Sequence, residues 1–307
     1  MEREIKYMKK FFKILAILFV VAGVSIGGYA YYLYGSAKDA VNQMHEKVET
    51  DNLKPVVTGN KEELKSISIL LLGVDERRGD SGRSDTIISI TVNPKENKML
   101  MFSIPRDTRT EIIGKGKDDK INHAYAFGGT QMAMDTVENF LDTSIDYYVK
   151  VNMESFKQIV DAVGGVEVTN NRAFKVEQYS FPLGTQELNG NEALAYARMR
   201  YDDPKGDLGR NDRQRQVITS IIDKGARVSS ITKFDDILDI LGDNVKTNMT
   251  FQEMKDIQKN YKEARHNIES TEIKSSGKMI GGTYYGIVED MEKERVQTLL
   301  REYLNNR

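Results

Sequence analysis

Asp75 and Asp85 bracket Arg83, and Arg106 follows downstream. A second stretch, Leu194 to Gln216 (LAYARMRYDDPKGDLGRNDRQRQ), packs five arginines, one lysine and four aspartates into 23 residues. Carboxylate oxygens suit Mg²⁺, or Mn²⁺ in its place, a hard cation that keeps waters and shares substrate phosphates. Arginine grips phosphate with a planar fork and never loses its charge. Together the two residue types could neutralise a diphosphate while one of its bonds breaks. The bland reading is a surface ion-pair network, each pair worth little.

Spacing narrows the choice. Arg198 and Arg200 diverge by about 200° on one helix, so both serve one site only if the helix ends between them. The following YDDPKGD (201–207) makes that break reasonable. Arg210, Arg213 and Gln214 are spaced i, i+3, i+4 and share a face, which runs on into Val217, Ile218 and Ile221. Arginines on the core-facing side of a helix's first turn suit an anion at the helix N-terminus. Arg215 falls roughly 140° from Arg210 and is predicted at the surface. Lys120 could reach a phosphate, whereas neighbouring His123 reads as structural. GDSG (79–82) echoes a serine-protease motif, but no histidine stands in a matching context and the chain has no cysteine. There is no nucleophile elbow, P-loop or dinucleotide-binding glycine pattern.

These residues need elements to hold them. SISILLLGVD (66–75), DTIISITVNP (85–94) and KMLMFSIPRD (98–107) read as three buried strands. Their short links predict two antiparallel hairpins, which would put Asp75, Asp85 and Arg106, with Arg83, at one end of a sheet. Helical periodicity appears at 131–142, 153–165, 190–200, 215–228, 233–245, 250–264 and 291–305; further strands are expected at 146–152, 166–170, 268–276 and 283–290. The alternation predicts an α/β fold, a single α-β-α sandwich with a central mixed sheet.

Hydrophobic content is 39% and charged content 29%, as in ordinary globular proteins. Net charge is −2, so no basic field points to nucleic acid. Ile14 to Tyr34 is a charge-free apolar run of 21 residues, roughly 30 Å long as a helix. Arg3, Lys6, Lys9, Lys10 and Lys13 precede it, which keeps that end cytoplasmic. The sequence therefore predicts a cytoplasmic tail (1–13), a transmembrane signal-anchor (14–34), a polar extracellular stalk (35–65) and one extracellular catalytic domain (66–307) at the cell membrane. A cleaved signal peptide is the alternative.

The blocks LLLGVDER, GRSDTIISITVNP, SIPRDT, KINHAYAFGG, VDAVGGVEV, LNGNEALAYARMR and GDLGRNDRQRQ resemble the successive signatures of the LytR-CpsA-Psr family, in that family's order, over about residues 66–220. The likeness is strongest to Bacillus-type members that attach wall teichoic acid to peptidoglycan. It implies a Mg²⁺-dependent transferase that moves an anionic glycopolymer from a polyprenyl-diphosphate carrier to a peptidoglycan hydroxyl and releases polyprenyl phosphate. It implies metal-associated roles for Asp75 and Asp85, one of which would assist as base, and diphosphate binding by Arg83, Arg106, Arg198, Arg200, Arg210 and Gln214, with Lys120 and Arg213 matching less closely. A polyprenyl-diphosphate hydrolase, a non-catalytic lipid carrier and a transcriptional regulator are the competing expectations.

Overall fold

A computed structural model describes residues 32, 34–36, 38–49, 57–76, 82–200, 203–227 and 245–305. The expected membrane span lies outside these residues apart from Tyr32 and Tyr34, and the periodic segment 233–245 apart from Val245. Among the described residues no helix is long and apolar enough to cross a membrane.

The three strands lie where the apolar runs place them: β1 (Ile67–Val74), β2 (Ser84–Asn93) and β3 (Lys98–Ser103). Both links are antiparallel. The hairpin β4 (Arg109–Ile112) with β5 (Lys117–Lys120) follows, then helix α1 (His123–Leu141). Helix α1 is kinked at Gly128 and Gly129, so the periodic part read from residue 131 is its longer limb. Strand β6 (Tyr147–Asn152) returns parallel to β1, and α2 (Met153–Ala162) leaves it. A lobe comes next: β7 (Val166–Asn170), β8 (Phe174–Val176), β9 (Tyr179–Phe181), β10 (Gly184–Leu188), α3 (Gly190–Arg198) and α4 (Asp207–Arg227). Strand β11 (Val245–Thr247), α5 (Phe251–Tyr261), β12 (Ile268–Glu272), the hairpin β13 (Ser276–Ile280) with β14 (Thr283–Ile287), and α6 (Asp290–Tyr303) complete the chain.

The main sheet runs β11-β6-β1-β2-β3-β12 and is mixed, because β6 pairs parallel to β1 and β12 parallel to β3. Alternate side chains enter opposite layers. Leu70, Leu72, Leu100 and Phe102 face α1 and α6, meeting Met134, Val137, Phe140, Val296 and Leu300. Ile67, Ile88, Ile90, Met99, Met101 and Tyr147 face α4 and α5, meeting Ile218, Ile222, Met254 and Ile257. Burial on both faces explains why these strands read as continuous apolar runs. The architecture is the α-β-α sandwich with a mixed sheet that the sequence predicts.

Residues 38–49, expected within the polar stalk, are docked on the domain. Residues 38–44 are helical. Ala40, Val41 and Met44 are buried, and this segment packs on Val149, Val151, Val245 and Phe251. Glu46 accepts from Thr130 Oγ1 at 2.9 Å and pairs with Lys150 at 3.3 Å. The polar composition of the segment hides a small apolar face that the β6–β11 edge covers.

Candidate active site

The end of the sheet formed by the exit of β1, the entry of β2 and the exit of β3 carries Asp75, Asp85 and Arg106 together. Its local geometry depends on a backbone irregularity. Along β1–β2, Gly73 pairs with Thr86 but Val74 pairs with Ser84, so Asp85 is the extra residue of a β-bulge. A bulge bends its strand and re-aims a side chain. The carbonyl of Arg83 then accepts from the amides of both Asp75 and Asp85, each at 3.1 Å. Gly82, at φ +66°, presses so closely on Asp75 that a Cβ there would lie 2.4 Å from the Asp75 carbonyl oxygen. Both acidic residues are thereby held by one loop, and Arg83 contributes through its backbone while its side chain stays exposed.

Arg106 Nη1 reaches Asp85 Oδ1 at 3.0 Å. Arg106 Nε is 3.9 Å from Asp107, whose other oxygen pairs with Lys120 at 2.9 Å. Burial works against the Arg106 charge, but Asp85, Asp107 and Asp207 outweigh it and hold the guanidinium above its ordinary value. Lys120 thus joins the network through Asp107. His123 pairs with Asp119 at 3.1 Å and stacks edge-on against Phe127, the structural place expected for it.

The arginine-rich stretch divides as its spacing requires. Helix α3 ends at Arg198, and Met199 (ψ 133°) is extended, so Arg198 and Arg200 leave a helix end on a stretched backbone. Helix α4 starts at Asp207, which pairs with Arg210 at 2.9 Å and with Arg200 at 3.4 Å. Burial pushes the Arg210 guanidinium below its ordinary value, and the charges of Arg106 and Arg200 add to that effect against the opposition of Asp207 and Asp85. Arg106, Arg200 and Arg210 therefore share one electrostatic neighbourhood with Asp85 and Asp207. Arg210 Nε and Asp207 Oδ1 are buried without a hydrogen bond among the described residues. A buried N–H left unmade is costly, and an anion would satisfy it. Gln214 lies one turn along, half-buried.

Two arginines differ from the spacing argument. Arg213 lies on the inward face, but its guanidinium is committed elsewhere. Nε donates to Tyr196 O at 3.1 Å, Nη2 to Met199 O at 2.5 Å and Nη1 to Asp203 at 2.6 Å. Arg213 is a brace that closes the C-terminus of α3 and fixes the backbone carrying Arg198 and Arg200, so it is not a free phosphate ligand. Arg215, predicted at the surface, is 5% exposed. It donates to Ser103 Oγ at 3.1 Å and pairs with Asp212 and Glu272. That flank of α4 faces the β3–β12 edge, not solvent. Asp107, Asn122 and Asp207 were missed by sequence reasoning. Asp107 and Asp207 stand beside recognised arginines, and that adjacency was the available signal.

The chemistry of two aspartates at this end of the sheet is of the kind a magnesium-like cation takes. Asp75 and Asp85 supply hard oxygens. Among the described residues no group of three or more acidic, histidine or cysteine side chains is poised for a metal. A cation here would complete its shell from water and substrate phosphate, as Mg²⁺ does.

An α-β-α sandwich whose sheet end holds two aspartates on one loop beside Arg106, Arg200 and Arg210 defines the class, and the chain belongs to the LytR_cpsA_psr family, whose model matches residues 31–302. It is 52% identical over 305 residues to the polyisoprenyl-teichoic acid–peptidoglycan teichoic acid transferase TagU of Bacillus subtilis (strain 168), covering 98% of this chain and 99% of that protein. The crystal structure of B. subtilis TagU matches with a TM-score of 0.65 and 52% identity, covering 78% of this chain and 97% of that one. A structure of TagT bound to LIIa-WTA matches with a TM-score of 0.70 and 30% identity, covering 85% and 100%.

Proposed function

We propose that this protein transfers a teichoic-acid-type anionic glycopolymer from a polyprenyl-diphosphate carrier to a peptidoglycan hydroxyl, releasing polyprenyl phosphate. The observation that carries the reading is the meeting of Arg106, paired to Asp85, with Arg200 and Arg210 around Asp207. Several guanidinium groups gathered in this way suit a diphosphate. The names of its relatives supply the polymer and the acceptor.

In this reading Arg106, Arg198, Arg200 and Arg210, with Gln214, Arg83 and Lys120 at the margin, hold the diphosphate oxygens. Asp75 and Asp85 would hold Mg²⁺, or Mn²⁺ in its place, and the cation would supply charge neutralisation at the phosphoryl oxygens. The acceptor hydroxyl oxygen attacks the phosphorus that carries the polymer. The bond from that phosphorus to the bridging oxygen breaks, and the bridging oxygen leaves with polyprenyl phosphate. The hydroxyl proton passes to Asp75 or Asp85, or to water. The apolar run 14–34 anchors the chain with this site outside the cytoplasm, where both substrates are met.

The test is full-length protein incubated with lipid-linked teichoic acid precursor, peptidoglycan and Mg²⁺. Polymer transfer that collapses in Asp75→Ala, Asp85→Ala and with EDTA is expected. Near wild-type transfer by Asp75→Ala would sink the site. Polymer phosphate released equally fast without peptidoglycan would favour the hydrolase. Protease accessibility of the domain in intact protoplasts checks the orientation.

A further inference from the structure

Among the described residues asparagine stands at three helix N-termini, and one of the three is not a cap. Asn152 opens α2 and Asn189 opens α3. Both have extended backbones, and both form capping boxes in which the side chain accepts from the third helical amide. That is the usual reason for asparagine at such a position, worth about 1 kcal/mol. Asn122 opens α1 with helical backbone angles (φ −70°, ψ −15°) and makes no cap hydrogen bond. It is 4% exposed, so solvation does not explain it either.

Its amide goes to the candidate site. Asn122 Nδ2 donates to Asp85 Oδ1 at 3.3 Å, the same oxygen that Arg106 Nη1 holds at 3.0 Å. The amide orientation is determined, because the flipped side chain would set oxygen against oxygen. The backbone is tied to the same partners, with Asn122 N donating to Arg106 O at 3.3 Å. Asn122 Oδ1 is buried without a hydrogen bond among the described residues, a cost of about 1–3 kcal/mol that helix formation does not require. Two donors on Oδ1 fix the carboxylate rotamer of a bulged residue. They leave Oδ2, on a side chain 41% exposed, as the oxygen this network does not engage among the described residues.

We infer that Asn122 is a positioning residue for the transfer reaction, which with Arg106 holds Asp85 by one oxygen so that the other is presented to the cation. This rests on the metal reading above. Removing such a partner behind a ligand costs roughly 10–100-fold in metal affinity or activity.

The experiment measures Mn²⁺ binding by electron paramagnetic resonance to full-length protein in detergent micelles, with inorganic pyrophosphate present. Asn122→Ala and Asn122→Ser are expected to weaken Mn²⁺ roughly 10–100-fold and to lower kcat, with KM for the lipid substrate within about twofold. In an Asp85→Asn background, Asn122→Ser should add almost nothing, because partners in one network are not additive. Asn122→Ser offers a second variant if Asn122→Ala fails to fold. Unchanged Mn²⁺ affinity in a folded Asn122 variant overturns the inference, as does full additivity with Asp85→Asn. If Asp75→Ala and Asp85→Ala also leave Mn²⁺ binding intact, the metal reading fails with it. If only the Asp variants lose binding, the inference about Asn122 fails alone.

Discussion

Gly82→Ala is the sharpest probe of how the two aspartates are held. At φ +66° an L-residue costs about 1–2 kcal/mol. The new Cβ would also lie 2.4 Å from the Asp75 carbonyl oxygen and 2.6 Å from its carbon, where ordinary contact starts at 3.4 Å. The Asp75 peptide must therefore retreat by about 1 Å, and a shift of that size at a reacting centre costs on the order of 10²-fold. Gly116 is the control. It has φ +60° with nothing within 4 Å of the Cβ position, so Gly116→Ala carries the conformational cost alone. Gly116→Ala should melt roughly 2–8 °C lower, at about 2–4 °C per kcal/mol, and Gly82→Ala by at least as much. In the polymer-transfer assay only Gly82→Ala should lose about 100-fold in kcat/KM. If the two variants stay within threefold of each other, the close approach of Gly82 to Asp75 does not position the site.

Other outcomes follow from the same geometry. Arg210→Lys keeps the charge but loses the fork and the buried Nε; loss of one charge-assisted bond, about 1.5–3 kcal/mol, should lower kcat/KM roughly 10–150-fold, and a fall below threefold would remove Arg210 from the diphosphate. Arg213→Met takes from half-buried Asp203 its guanidinium partner and from the end of α3 two carbonyl hydrogen bonds, a loss of about 3–5 kcal/mol. It should therefore lower the melting temperature by roughly 6–20 °C, while pyrophosphate affinity of the folded fraction falls less than in Arg210→Lys, as calorimetry would read. Burial, then Asp212, raises the Glu272 carboxyl above its ordinary 4.5. A raised acid favours the fold below its unfolded value, and that contribution is lost as pH climbs through the folded one. Glu272→Gln should thus raise the melting temperature relative to wild type at pH 8 and not at pH 4; an equal shift at both would refute the assignment.

The sheet was legible because β1, β2 and β3 are buried on both faces and joined by links too short to cross over. That reasoning brought Asp85 and Arg106 to the same end, where they lie 3.0 Å apart. The helix break after Arg198 was legible from angular spacing together with the helix-breaking YDDPKGD that follows. What spacing could not show was the partner on the other side. Arg213 points inward as expected, but onto the carbonyls of Tyr196 and Met199, and backbone acceptors leave no mark in a residue pattern. Arg215 was misplaced because an angle on a helix wheel predicts solvent only when one flank is open, and both flanks of α4 are covered. The bulge at Asp85 and the diversion of Asn122 depend on a one-residue slip in pairing and on one residue's dihedral angles, which residue types do not encode.

The docked segment has a consequence for where the enzyme can work. Tyr34, the last residue of the expected anchor, meets the Phe251 ring edge-on at 5.4 Å, and Lys255 sits over both rings. Tyr34 is itself helical, and within two turns Val41 and Met44 pack against the β6–β11 edge. With the proposed anchor in that position, the leash would be short and the domain would ride at one altitude and one tilt above the bilayer, like a tool on a rigid handle. Under the proposed function a lipid-linked substrate would then arrive by lateral diffusion at that height, and a flexible insert between residues 34 and 38 should slow transfer without touching the chemistry.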